Sequence, residues 1–85
     1  MTGRDKLINK IRGNPKDVRF ADACLVAGWL GFTGTGGKGS HRVFQRPGEP
    51  MSLNFQDRHG KIKPYQAKQL IAMIDKYASE EADPT

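Results

Sequence analysis

Two strand-like runs flanking the turn Pro47-Gly-Glu-Pro50 limit most strongly what this chain can fold into. Downstream, Met51-Ser-Leu-Asn-Phe-Gln56 alternates apolar and polar residues with a period of two, the spacing of a strand buried on one face. Upstream, Ser40-His-Arg-Val-Phe-Gln-Arg46 is its partner, and the prolines and glycine between them favour a chain reversal. The pair predicts a hairpin of strand 40–46 and strand 51–56. Met51, Leu53 and Phe55 would face the core, with Ser52, Asn54 and Gln56 outward. The facing of the first strand stays open, because Val43 and Phe44 are adjacent and point opposite ways. Val43 inward would place His41 on the helix-packed face at the sheet's rim; Phe44 inward would turn His41 outward with Gln45.

A hairpin alone is marginal in water, so the flanking segments must cover one of its faces. Thr2-Gly-Arg-Asp5 reads as a helix start, Leu7, Ile8 and Ile11 share one face, and Gly13-Asn-Pro15 ends the helix. From Asp17 to Phe32 the chain is at its most apolar, with Ala21, Cys24, Leu25, Gly28, Trp29 and Phe32 recurring at helical intervals. This predicts a central helix from about Arg19 to Leu30, closed by Gly31, its apolar surface widened by Val18, Val26 and Leu30. Trp29, in register with Leu25 and Phe32, is expected to pack in the core rather than stack on a base. Phe32 to Gly39 reads as a glycine-loosened edge strand or hairpin. Asp57-Arg-His-Gly60 is a second turn, and Pro64 opens a last helix. Its apolar face would be Ala67, Leu70, Ile71, Ile74 and Ala78, with Gln66, Lys68, Gln69, Asp75 and Lys76 outside, before a frayed polar tail over 79–85.

The resulting order, α-α-β-β-β-α, predicts an α+β domain in which helices cover one face of a three-stranded antiparallel sheet. It contains the order of double-stranded-RNA-binding domains. With 85 residues the chain is expected to be one domain, 1–85, with one thin core. The single Cys24, among Ala23, Leu25 and Val26, reads as a small buried hydrophobe that can form no internal disulfide. No signal peptide or membrane-length apolar run is visible, so a cytoplasmic protein with no membrane partner is expected.

Charge narrows the function classes. Residues 38–68 carry seven cations (Lys38, Arg42, Arg46, Arg58, Lys61, Lys63, Lys68) against two anions (Glu49, Asp57). The net charge of +5 therefore lies entirely there, and the remaining residues balance seven against seven. Such a field attracts polyanions, nucleic acid foremost, although charge alone fits a solvated basic face equally well. Gly34-Thr-Gly-Gly-Lys-Gly39 matches G-x-G-x-x-G, but a dinucleotide site requires a helix next, and here a strand follows. A phosphate loop fails as well, since Gly39 follows Lys38 where Ser or Thr is needed. What the stretch does contain is His41, directly after a flexible bend and among cations. It is the candidate for proton transfer near neutral pH.

Four segments together carry a resemblance: Asn14-Pro-Lys-Asp-Val-Arg-Phe20, Gly39-Ser-His-Arg-Val-Phe44, Leu53-Asn-Phe-Gln56 and Lys61-Ile-Lys-Pro-Tyr-Gln-Ala-Lys-Gln-Leu70. The chain over residues 5–77 resembles the HicA family of type II toxins, in its longer form with an extra N-terminal helix, here 1–15. Gly-Ser-His followed by the Lys-Pro-containing helix start is the more specific combination. His59, in a turn where the family often has glycine or lysine, departs from the pattern, as does the glycine run 34–37. The resemblance implies a double-stranded-RNA-binding-like fold and endoribonuclease cleavage of mRNA with no metal or other cofactor. It also implies neutralisation by a HicB-like antitoxin that covers the active site. The family's catalytic histidine falls on His41, with Gly39 and Ser40 completing the motif.

On that reading His41 is expected to act as general base on the ribose 2′-hydroxyl. Lys38, Gly39, Ser40, Arg42, Arg46, Lys61 and Lys63 would contact RNA and its phosphates, and the general acid is open among Lys38, His59, Tyr65 and water. Two other readings remain at this point: a non-catalytic RNA-binding module, and an interaction domain whose basic segment meets an acidic protein.

Overall fold

The computed structural model describes residues 3–81 of the chain. It contains α1 (Gly3–Gly13), α2 (Phe20–Trp29), β1 (Thr33–Gly36), β2 (His41–Gln45), β3 (Leu53–Gln56) and α3 (Pro64–Glu81). The strands form one antiparallel sheet in the order β1-β2-β3, and the helices pack on one of its faces. This is the predicted α+β architecture in the predicted order.

The alternation in β3 sets the core. Leu53 and Phe55 are wholly buried, and Leu53 lies opposite Phe44 of β2, which is also buried. The rings of Phe44 and Phe55 are 5.7 Å apart at their centroids. Val18, Val26, Leu30, Leu70 and Ile74 close over them from the helices and their connections. Each such side chain contributes about 1.5–3 kcal/mol on leaving water. Met51 departs from expectation: it is 41% exposed and precedes the strand, because β3 begins only at Leu53.

The central helix is also rotated from the predicted phase. Its buried residues are Ala23, Val26 and Ala27, joined by Leu30 just past its end, while Ala21 and Gly28 are exposed and Leu25 is 50% exposed. This segment is apolar on more than one side, so packing selects among its stripes, and the alanine stripe presents small side chains to its neighbours. Cys24 is only half-buried, and burial raises its thiol pKa. Trp29 is likewise half-buried, with the Arg4 guanidinium 5.1 Å from its ring, which ties α1 to α2. At the helix end, Gly31 adopts φ 88° and its N–H donates to Gly28, while the Phe32 N–H reaches back to Ala27. This is a Schellman stop with buried Phe32 as its apolar contact.

In α3 the buried stripe is Ala67, Leu70, Met73, Ile74 and Tyr77, with Ile71 and Ala78 half-covered. Helix continues through 79–81, which shortens the expected tail. The rest of that tail, and the start signal at Thr2, lie outside the described residues. Gln66, expected outside the apolar face, is 3% exposed. Its side-chain oxygen accepts from the Lys63 N–H at the start of α3 and from the Gln56 N–H at the end of β3, both at 3.1 Å. A glutamine at the third helical position reaching the residue before the helix is half of a capping box. Here the same oxygen also fastens the sheet.

Candidate active site

Phe44 occupies the core, so the alternation of β2 turns His41, Val43 and Gln45 to the face that none of the described helices covers. Gln56 and Asn54 of β3 lie opposite His41 and Val43, and Thr33 of β1 lies opposite Gln45. The Thr33 hydroxyl donates to the Gln45 carbonyl, and the Gln45 amide donates to the Ser52 hydroxyl. The open face is therefore polar apart from half-buried Val43.

The bend before His41 is tightly built. Gly37 has φ 123°, and a Cβ there would stand 2.3 Å from the His41 carbonyl oxygen and 3.0 Å from the Arg42 Cα. The loop thus lies directly on the backbone of the candidate residue, an approach no side chain permits. The His41 N–H donates to the Lys38 carbonyl at 3.0 Å, and the Asp57 N–H extends the ladder to the Ser40 carbonyl at 2.8 Å. Gly39 (φ 59°) completes the turn. The imidazole of His41 is exposed and has no hydrogen-bond or ion-pair partner among the described residues.

The other predicted site residues divide into two groups. Lys38, Gly39 and Ser40 are exposed and adjoin His41 in the bend. Lys63 comes close through Gln66, whose oxygen gathers the Lys63 and Gln56 amides. Arg42, opposite Phe55, belongs to the helix-covered side; it is exposed at the rim and carries no ion pair among the described residues. Lys61 is tied to Asp17 at 2.6 Å, and hydrogen bonding to Lys61 lowers the Asp17 pKa.

Arg46 is the clearest departure from the expected phosphate contact. Its Nε donates to the Leu30 carbonyl at 2.8 Å, an approach that glycine at position 31 leaves room for, and its guanidinium lies 3.8 Å from the centroid of the Tyr77 ring. The Tyr77 hydroxyl donates to Glu49, which also accepts from Lys76 at 2.6 Å and from the Met51 N–H at 2.9 Å. These bonds hold the Glu49 carboxylate, whose side chain is 3% exposed, down at a pKa of about 2, with Lys76 first among the causes. Lys76 is raised in return. Arg46 thus belongs to a structural cluster joining the β2–β3 loop to α2 and α3, a role its sequence context did not announce.

The remaining candidates for proton transfer, His59 and Tyr65, lie on different elements. His59, at φ 55°, and Gly60, at φ 85°, form the tip of a tight turn closed by mutual Arg58–Lys61 backbone bonds and held to the start of α2 by the Phe20 N–H. Tyr65 is 56% exposed in the first turn of α3 and lies 3.5 Å from the Gln66 amide through its hydroxyl. Sequence reasoning missed Gln66 as a support of the site. The available signal was its place three residues after Lys63, behind a proline at the first helical position. It also assigned no role to Gln56 beyond facing outward.

Among the described residues, no helix is long and apolar enough to cross a membrane. Comparisons of the chain with protein-family models, with curated proteins and with solved structures found no match.

Proposed function

We propose that the protein is a HicA-like endoribonuclease, the toxin of a type II toxin–antitoxin pair, acting on mRNA in the cytoplasm with His41 as general base and without a metal. The observation that carries this reading is the facing of β2. Phe44 in the core presents His41, with no side-chain partner among the described residues, on an open polar face beside Lys38.

The chemistry needs no nucleophile from the protein. His41 takes the proton of a ribose 2′-hydroxyl, the freed oxygen attacks the adjacent phosphorus, and the bond from phosphorus to the 5′-oxygen breaks. The products are a 2′,3′-cyclic phosphate and a 5′-hydroxyl, whose proton comes from water or from one of the exposed groups beside the bend. A positioned base contributes about 10²–10⁴ in rate. The exposed ammonium of Lys38 and the backbone N–H groups of the bend are suited to the charge that builds on phosphate. A HicB-like antitoxin covering the open face would block access to His41.

Wild type and His41→Ala are compared for growth arrest and for RNA cleavage in EDTA. The variant is expected to lose both while still binding RNA. Cleavage and growth arrest by His41→Ala equal to wild type would overturn the reading. If wild type binds RNA without cleaving it, the protein is a binding module instead.

A further inference from the structure

Gln56 is the residue directly opposite His41. The Asp57 N–H donates to the Ser40 carbonyl, and the Gln56 N–H points away from β2 to Gln66. Together these make His41 and Gln56 a non-hydrogen-bonded pair of the antiparallel ladder, the kind whose Cα atoms approach to about 4.5 Å and whose side chains lie closest. Both side chains emerge on the helix-free face. Gln56 is half-buried as a residue, and its carboxamide is open to solvent with no hydrogen-bond partner among the described residues, whereas Gln45 on the same face is engaged with Ser52. Its backbone is fixed from the far side by the buried Gln66 oxygen.

A side chain held this way has a rigid base, an idle pair of N–H donors and a proton-transfer group as its immediate neighbour. We infer that Gln56 is a second catalytic residue of the His41 site, donating its side-chain N–H to a non-bridging oxygen of the phosphate that the 2′-oxygen attacks. An amide suits this task because it stabilises the growing negative charge without adding a formal charge beside His41. Lys38 and Arg42 already supply positive field from the bend and the rim. The inference rests on the ribonuclease reading above and adds to it the group that meets the phosphate.

The test uses the full chain and a short oligoribonucleotide carrying the cleavage site mapped for wild type, made with oxygen or with sulfur at each non-bridging position. Wild type, His41→Ala and Gln56→Ala are compared. Gln56→Ala keeps the backbone N–H that binds Gln66, and an unchanged Tm verifies its fold. The expected result is a fall of about 100-fold in kcat, the scale of one lost oxyanion donor, with KM within about twofold. Sulfur at one non-bridging position should slow wild type, and Gln56→Ala should no longer distinguish the two positions. Cleavage by Gln56→Ala within about twofold of wild type, alongside an inactive His41→Ala, overturns this inference and leaves the ribonuclease reading standing. A slower variant that keeps the wild-type sulfur preference, or a change in KM alone, also overturns it. A wild type that does not cleave RNA overturns both.

Discussion

Replacing Gln66 with leucine removes one oxygen and strands two backbone donors, the N–H groups of Gln56 and Lys63. The position is 3% exposed, so water cannot freely take the oxygen's place. Each buried donor left without an acceptor costs about 1–3 kcal/mol. Two such donors sum to about 2–6 kcal/mol; both bonds are partly buried rather than sealed, which places the loss in the lower part of that sum, at about 2–4 kcal/mol. A domain of this size is stable by roughly 4–13 kcal/mol, so the variant forfeits a large share. At about 4–8 °C per kcal/mol for small domains, Tm should fall by at least about 8 °C. Gln66→Glu is the control: it keeps both acceptor positions, in the first turn of α3 where negative charge is favoured, and should lose far less. Urea unfolding reads the free energy, and amide hydrogen exchange reads the cause, because protection should drop selectively at Gln56 and Lys63. A loss below about 0.5 kcal/mol in Gln66→Leu, with protection at those two amides unchanged, would refute the argument that one side chain fastens β3 to α3.

Two further perturbations probe separate parts of the structure. Gly37→Ala places a methyl group against the His41 carbonyl, where 2.3 Å is available, and in a backbone conformation that L residues rarely adopt; the bend must shift, and RNA cleavage should fall at least tenfold. A crystal structure or amide chemical shifts showing His41 undisplaced in that variant would contradict this. Glu49 has its folded pKa depressed from 4.5 to about 2, so its contribution to stability is fully present above the ordinary carboxylate range and is lost as pH falls through that interval. The Tm of wild type should therefore decline between about pH 5 and pH 2, and Glu49→Gln should flatten that decline; parallel curves for the two proteins would show that Glu49 is not the group responsible.

The parts of the fold that could be read in the sequence are those where a single period dominates. Leu53-Asn-Phe-Gln56 alternates without ambiguity, and its facing was as expected. Gly31 stopped the central helix where glycine tolerates positive φ, as expected. The phase of α2 was not legible, because alanines, valine and leucine lie on several of its sides and the neighbours choose among them. Adjacent Val43 and Phe44 left the facing of His41 undecided until the opposite strand was in place; Leu53 across from Phe44 decides it. Of the candidate site, His41 and its glycine-rich bend could be read from composition and spacing. The division of the cations could not, since Arg46 and Lys61 find their partners, Tyr77 and Asp17, far along the chain.

A three-stranded sheet with one uncovered face has two borders at which another chain could add a strand. At the β3 border, the Gln66 oxygen occupies the Gln56 N–H, and the start of α3 lies close by. At the β1 border the strand is only four residues, Thr-Gly-Thr-Gly, with a shift in register between Gly34 and Gly36. A short, irregular strand with so little side-chain surface is a poor template for edge-to-edge association. The molecule can thus keep a broad polar sheet face uncovered without inviting its own copies to polymerise along the hydrogen-bonding direction.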